Sequence, residues 1–494
     1  MKTIAEILDS ATWESALDDD ISDDAARMQA SVAVLTGALT SGEPVYGVTH
    51  GFGPLVAYAG AESQMDQGRG LICHLGTGQG APLGPEVCRL VMWLRLASMR
   101  KGFSGVSPAF WRILADLWNR GFTPVIPRDG TVSASGDLQP LAHAALAHTG
   151  FGQAWTREAD GTWRCEDAAT ALADLAARPI EWPAREALAF VNGTSVGLAV
   201  SLHNHRAALR LARAVALLTG RLAELLRVNP EAYHPGIGHA RGQLGQLRVA
   251  RWVRDEMSPD AVRDPKRRLQ EPYSLRCVPQ ILGAVADQLA AAEDILVREA
   301  TGCTDNPICY EGEVLHGGNF HALPVGLCSD QIGLCVQQIA FLADRQLGLL
   351  CVPEHNGGLP PMLTPRPGSG SGLAGVQISA TSFVSRIRQL VYPASLTALP
   401  TNGGNQDHVP MALNGANSVA DAVDLAWLVV GSLAVGAAQL AELSGRDAVD
   451  GVWAELKAIS PPLAEDRPMA LEVRRAADLM AAEAESRLRS EELS

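Results

Sequence analysis

From residue 194 to 229 the chain has no proline, and Leu211, Val215, Leu218, Leu222 and Leu225 recur at steps of four and three. Steps of that size line one face of an α-helix. Ile281, Val285, Leu289, Ala292 and Leu296 repeat the pattern on the next segment. Further proline-free helical segments are predicted over 329–351, 371–392 and 414–443, and a last one with a charged face over 469–488. Helices of roughly 20 to 35 residues predict a mainly α chain built as an elongated up-and-down bundle. Ala, Gly and Val occupy more than one face of these helices, which suits burial on several sides in an oligomer core; an ordinary monomeric bundle is the alternative.

The first 190 or so residues read differently. Their helical periodicity is broken by Gly/Pro-rich loops at 42–44, 76–85 and 124–136. Two domains are expected: a mixed, loop-rich N-terminal domain over 1–193 and a helical-bundle domain over 194–494. Inside the first, the polar stretch 151–183 could place Trp163 and Cys165 on a short hairpin.

Composition narrows the function. A net charge of −14 over 494 residues argues against a nucleic-acid surface, which needs a basic stripe. The first 20 residues lack a basic region followed by an apolar run, so no signal peptide is visible. The most apolar stretch, 425–438, is shorter than a membrane span of roughly 20 residues and includes Ser432, which fits a core helix. Nine cysteines without a Cys-x-x-Cys pair suggest reduced thiols in a cytoplasm. No Cys/His set has metal-site spacing, and His203 and His205, two apart, cannot share one helical face, so no metal is expected. The string at 370–375 spells a dinucleotide fingerprint, but Pro360, Pro361, Pro365 and Pro367 precede it where a strand would be needed, and it reads as a loop entering a helix.

The chemistry-bearing string is Gly130-Thr-Val-Ser-Ala-Ser-Gly-Asp-Leu-Gln-Pro-Leu-Ala142. On a backbone of small residues, an amide nitrogen can attack the carbonyl two residues back and close a five-membered ring. Loss of water from the serine then leaves an exocyclic methylidene, an electrophile that no side chain supplies. Asp137 and Pro140 read as a helix start, which would set the tripeptide at the positive end of a helix dipole. Alone, Ala-Ser-Gly is weak evidence and fits a flexible loop capped by Asp137.

The wider string resembles the signature of the histidine/phenylalanine/tyrosine ammonia-lyases, which build 4-methylidene-imidazol-5-one (MIO) from Ala-Ser-Gly, here Ala134, Ser135 and Gly136. Six more segments resemble the same family in the same order: Tyr46-Gly-Val-Thr-His-Gly-Phe-Gly-Pro-Leu55, Phe190-Val-Asn-Gly-Thr194, Gln270-Glu-Pro-Tyr-Ser-Leu-Arg-Cys-Val-Pro-Gln280, Thr304-Asp-Asn-Pro307, Gly317-Gly-Asn-Phe-His321 and Asn405-Gln-Asp-His-Val409. Each by itself is loop chemistry; Asn192, for example, is simply a good helix cap. Two departures stand out. His50 stands where relatives usually have threonine, and Leu323 where they often have a polar or acidic residue.

The resemblance implies the ammonia-lyase/fumarase-like architecture and an autocatalytically formed MIO with no metal. It also implies a homotetramer whose subunits share active sites, acting on a small aromatic amino acid, with no nucleic acid or membrane involved. In this sequence Tyr46 is the implied base, Asn192 a contact of the prosthetic group, and Arg276 the holder of the substrate carboxylate. Gln270 and Tyr273 would orient the substrate, and Phe320 would pack on the group or the ring. A tyrosine titrates near 10, so a basic Tyr46 must be shifted down or deprotonated transiently.

Substrate choice rests on His74, Leu75 and Gln406. The pair His74-Leu75 resembles tyrosine ammonia-lyases, where phenylalanine-selective relatives carry Phe-Leu and histidine lyases Ser-His. An imidazole can hydrogen-bond a phenol, although His74 could instead be a buried structural histidine. Gln406 falls where histidine lyases place a glutamate suited to imidazole, and a neutral amide fits an aromatic substrate better than a cationic one. Tyrosine, giving trans-p-coumarate and ammonia, is favoured. A tyrosine or phenylalanine 2,3-aminomutase, a phenylalanine or histidine ammonia-lyase, and a non-catalytic homologue that keeps the bundle for assembly are the alternatives.

Overall fold

The computed structural model of the protein describes residues 2–18, 21–446 and 450–492. It is mainly helical, as the periodicity predicts, and the longest helices fall where the apolar repeats do: Ser195–Leu226, Val278–Thr301, Leu323–Leu350, Ala374–Leu390, Ala412–Leu443 and Ala470–Glu492. Leu211, Val215, Leu218 and Leu222 are fully buried, so the four-three spacing does mark a core face. The third helix begins six residues before the predicted start, and Leu323 is its first residue. The string at 370–375 is loop entering the Ala374–Leu390 helix, without a strand before it.

The chain packs into two compact units. The first is made of Met1–His203, Glu293–Asp330 and Pro393–Asn417, the second of Asn204–Ala292, Gln331–Tyr392 and Ser418–Ser494. Strands are short and few. The hairpin expected around Trp163 pairs Gln153–Arg157 with Trp163–Asp167, Cys165 facing Trp155 across the ladder. Trp163 meets Trp13 edge-on at 5.0 Å, which seats the hairpin on the N-terminal segment. A second two-stranded pairing, Gln79–Pro82 with Pro127–Asp129, fixes the approach to the loop before residue 134.

By length and composition, Leu323–Leu350 and Ala412–Leu443 could each cross a membrane. Most of the apolar window of each is nonetheless buried inside the protein, as a core helix requires. Among the described residues no group of three or more His, Cys, Asp or Glu is arranged to hold a metal ion.

Candidate active site

Ser135 sits in a backbone turn that folds back on itself. Ala134 and Gly136 form an isolated bridge across it, and Ser133 and Gly136 both have left-handed backbone, φ 57° and 71°. Gly136 has no alternative: a Cβ there would overlap the backbone of Gly193. That contact is sealed by a hydrogen bond from the Asp137 amide to Gly193 O at 2.8 Å. Two side chains then converge on Ser135. Asn192 Nδ2 donates to its carbonyl oxygen at 2.8 Å, and Gln406 Nε2 donates to its Oγ at 2.9 Å. Asn192 Oδ1 is buried with no partner. Asn192 is not an N-cap; it closes the helix Ala184–Val191, and the long helix starts at Ser195.

Asp137 also departs from the sequence reading. It opens the helix Leu138–His148 but makes no side-chain cap there. Its fully buried carboxylate instead accepts the amides of Val196 and Gly197 at 3.0 and 2.8 Å, capping the Ser195–Leu226 helix, and takes the Ser133 hydroxyl at 2.7 Å. Burial raises the Asp137 carboxyl above its ordinary range, with these donors opposing. Ser133 Oγ accepts the Leu413 amide at 3.2 Å, and Ser133 O the Ala322 amide at 3.3 Å. Through Ala322 the turn carrying Phe320 is tied to the Ser135 loop; Phe320 itself is half-buried.

Tyr46 occupies the same unit. Its hydroxyl accepts the Gly53 amide at 2.8 Å, and its own amide donates to His316 Nε2 at 3.1 Å, which requires a neutral His316. Burial holds His316 below the ordinary histidine range, consistent with that role. The turn Gly53–Ala57 packs on Asn402–Gly404, the loop leading to Gln406. Burial raises the Tyr46 phenol, only partly offset by the Gly53 N–H. This direction is opposite to the downward shift considered for a tyrosine base.

Phe52 connects Tyr46 to His74. Its ring stands edge-on to Tyr46 at 6.1 Å and tilted over His74 at 6.2 Å. His74 lies in the last turn of the helix Gln64–Leu75 and is exposed, while Leu75 beside it is buried. His74 Nδ1 lies 3.0 Å from Gly70 O. A carbonyl only accepts, so Nδ1 carries a proton, which leaves Nε2 as the ring's one possible acceptor. His50 Nδ1 is 2.9 Å from Thr49 Oγ1, a local contact that explains nothing of its departure from the family pattern.

Gln270, Tyr273 and Arg276 lie in the second unit. The Arg276 guanidinium stacks over Tyr273 at 4.8 Å, its Nε is buried without a partner, and Tyr273 is 68% exposed. Gln270 and Arg276 line one cavity together with Tyr233, Glu271 and Gln280. The structure thus gathers Tyr46, His74, Asn192, Gln406 and the Ser135 loop in one unit and the arginine group in the other. Sequence reading missed Phe52 and His316 as partners of Tyr46: Phe52 lies inside the Tyr46–Leu55 motif without any sign of which ring it meets, and His316 lies 270 positions away, just before the Gly317 motif.

A model of aromatic amino acid lyases matches residues 3–460. The chain belongs to the aromatic amino acid lyase family. This aromatic amino acid lyase is an enzyme acting at a carbon–nitrogen bond. Its fold is similar to that of tyrosine aminomutase from Streptomyces globisporus, 29% identical over 98% of this chain and 97% of that one, with a TM-score of 0.89. Phenylalanine aminomutase from Pantoea agglomerans is 25% identical over 97% of each chain at a TM-score of 0.89. Histidine ammonia-lyase from Trypanosoma cruzi is 27% identical over 98% of this chain and 92% of that one at 0.85. The seven sequence segments, from residue 46 to residue 409, all lie inside the matched range.

Proposed function

We propose that this chain is a tyrosine ammonia-lyase that converts L-tyrosine to trans-p-coumarate and ammonia, with MIO formed autocatalytically from Ala134, Ser135 and Gly136. The observation that carries the reading is the convergence on Ser135. Its loop is already folded back at a glycine with no space for a Cβ, and Asn192 holds its carbonyl. The orphaned Asn192 Oδ1 supports a further polar partner at this spot, which a ring and a bound amine would provide. The group, when formed, supplies an electrophilic methylidene that makes the substrate amine a better leaving group.

The remaining work falls to side chains. Tyr46 takes the proton from the carbon beside the substrate ring. Arg276 holds the carboxylate through a forked pair, with Gln270 and Tyr273 beside it. Phe320 packs on the ring. His74 Nε2 accepts the phenol hydroxyl, which supports tyrosine over phenylalanine, and the neutral Gln406 supports an uncharged aromatic ring over a cationic imidazole. A homotetramer, in which Arg276 of one copy completes the site of another, is part of the reading. Exposed Tyr392, Leu396 and Leu399 suit burial by a second copy. We place the enzyme in the cytoplasm, where its nine free cysteines stay reduced.

Incubation with tyrosine, phenylalanine and histidine separately, with products identified by chromatography, tests the assignment. trans-p-Coumarate from tyrosine is the expected main product. The similarity to two aminomutase structures favours a second reading, return of ammonia to the β-carbon, and β-tyrosine as main product would establish it. His74→Phe removes the phenol acceptor, so the tyrosine-to-phenylalanine ratio of kcat/KM should fall by about tenfold or more. An unchanged ratio would remove the basis for tyrosine. Arg276→Lys keeps the charge and loses the fork, and KM should rise roughly 10- to 100-fold with a smaller change in kcat. If KM stays at the wild-type value, Arg276 does not hold the carboxylate.

A further inference from the structure

Behind the Asn192-Gly193-Thr194 corner lies a charge that the mechanism above does not use. Arg95, on the helix Pro85–Met99, is 0% exposed. Its Nη2 donates to Ala189 O and its Nη1 to Thr304 Oγ1 at 3.3 Å, while Nε is buried with no partner. Thr304 Oγ1 also accepts the Thr194 amide at 3.5 Å. Nη1 lies so close to Gly193 that a Cβ on this glycine would overlap it. The contacts therefore run in one line: Arg95 against Gly193, Gly193 against Gly136, and Gly193 O on the Asp137 amide.

A buried guanidinium is costly unless it is well paired, and the ordinary solution here would be to bond all its donors to carboxylates. Nearby Asp305 instead pairs with Arg185, whose guanidinium also takes Ser104 O and Asn306 O. Arg95 is left with one carbonyl and one hydroxyl, and an unmatched Nε. Such an arrangement gives poor stability for its cost, and its one evident product is the fixed position of the residue 192–194 corner.

We propose that Arg95 is a positioning residue for maturation of the active site, holding Gly193 against Gly136 so that the loop cyclises. The inference rests on the reading that Ala134, Ser135 and Gly136 form MIO. In that step the Gly136 nitrogen bonds to the Ala134 carbonyl carbon. The carbonyl oxygen leaves as water with the hydrogens of the Gly136 and Ser135 amides, leaving a carbon–nitrogen double bond. A second water takes the Ser135 hydroxyl and its Cα hydrogen. No oxidant or reductant is needed. The step depends on bringing an amide nitrogen onto a carbonyl carbon along a short peptide, and a misplacement of about 1 Å can cost 10²-fold. A forked guanidinium can hold Ala189, Thr304 and Gly193 at once; an ammonium cannot.

The test is a time course of intact mass after cell-free synthesis of the full chain, taken on the folded fraction isolated by size exclusion and checked by circular dichroism. Wild type should be lighter than its encoded mass by two waters. In Arg95→Lys the folded fraction should mature about 10²-fold more slowly and retain both waters at early times. Folded Arg95→Lys chains that mature at the wild-type rate would overturn the proposal, because a purely structural arginine changes how much protein folds and not how fast the folded protein cyclises. Wild type that never loses the two waters would instead overturn the MIO reading itself. Should Arg95→Lys yield no folded fraction, Arg95→Gln decides, since it removes the fork and the buried charge and leaves the Thr194–Thr304 bond in place. Slowed maturation in that variant supports the proposal and an unchanged rate refutes it.

Discussion

Ser135→Ala is expected to fold like the wild type and to lose turnover by about 10³-fold or more. Only a hydroxyl is removed. The bridge across residue 135 and the bond from the Asn192 side chain to its carbonyl use only the backbone of residue 135 and survive. What disappears is the oxygen that accepts Gln406 and that must leave for an electrophile to form. Near-ultraviolet absorbance and intact mass report the loss directly: the variant should lack the absorbance of the wild type and carry more of its encoded mass. Wild-type turnover in Ser135→Ala would end the assignment, because no other residue of the site can supply that electrophile. It would also leave the convergence of Asn192 and Gln406 without a purpose.

Tyr46→Phe should lower kcat by about 10²- to 10⁴-fold while the two waters are still lost on maturation. Separating chemistry from maturation in this way matters, since the phenylalanine also leaves the Gly53 amide without its acceptor, at about 1–3 kcal/mol of stability. A melting curve measures that loss independently. The pH profile gives a second check. Burial raises the Tyr46 phenol, so its basic form is still the minority at tyrosine's ordinary value of about 10 and keeps increasing beyond it. The wild-type kcat/KM should then still climb at the alkaline end, beyond the point where the substrate amine has titrated. Tyr46→Phe should flatten that limb and keep the one due to the amine. A variant with the same kcat and the same alkaline limb would assign the proton transfer elsewhere.

The long helices were legible in the sequence because burial along a helix is local and periodic. The repeat at 211–225 lies on Ser195–Leu226 with its apolar face buried, and Trp163 and Cys165 lie on the hairpin expected of them. The loops were legible only through family resemblance, since nothing in Asn-Gly-Thr says that Asn192 will face Ser135. Asp137 shows where local reasoning ends. Its place before Pro140 reads as a cap for the helix it opens, yet its carboxylate serves the amide of Gly197, 60 positions later. The pairing is tertiary, and a cap signal cannot tell which helix it will meet. Arg95 and His316 are similar. An arginine among leucines on a helix, or a histidine before two glycines, acquires meaning only once the segments around Ser98, Gly193 and Tyr46 have packed.

That long-distance cap has a consequence for biosynthesis. The turn at Ser135 gains its buttress only when Gly193 and the start of the Ser195–Leu226 helix have docked on Asp137. A nascent chain still inside the ribosome beyond residue 137 lacks this clamp. On the proposed reading, the reactive double bond therefore arises late, in protein already compact, and truncated or stalled products stay harmless to cellular amines.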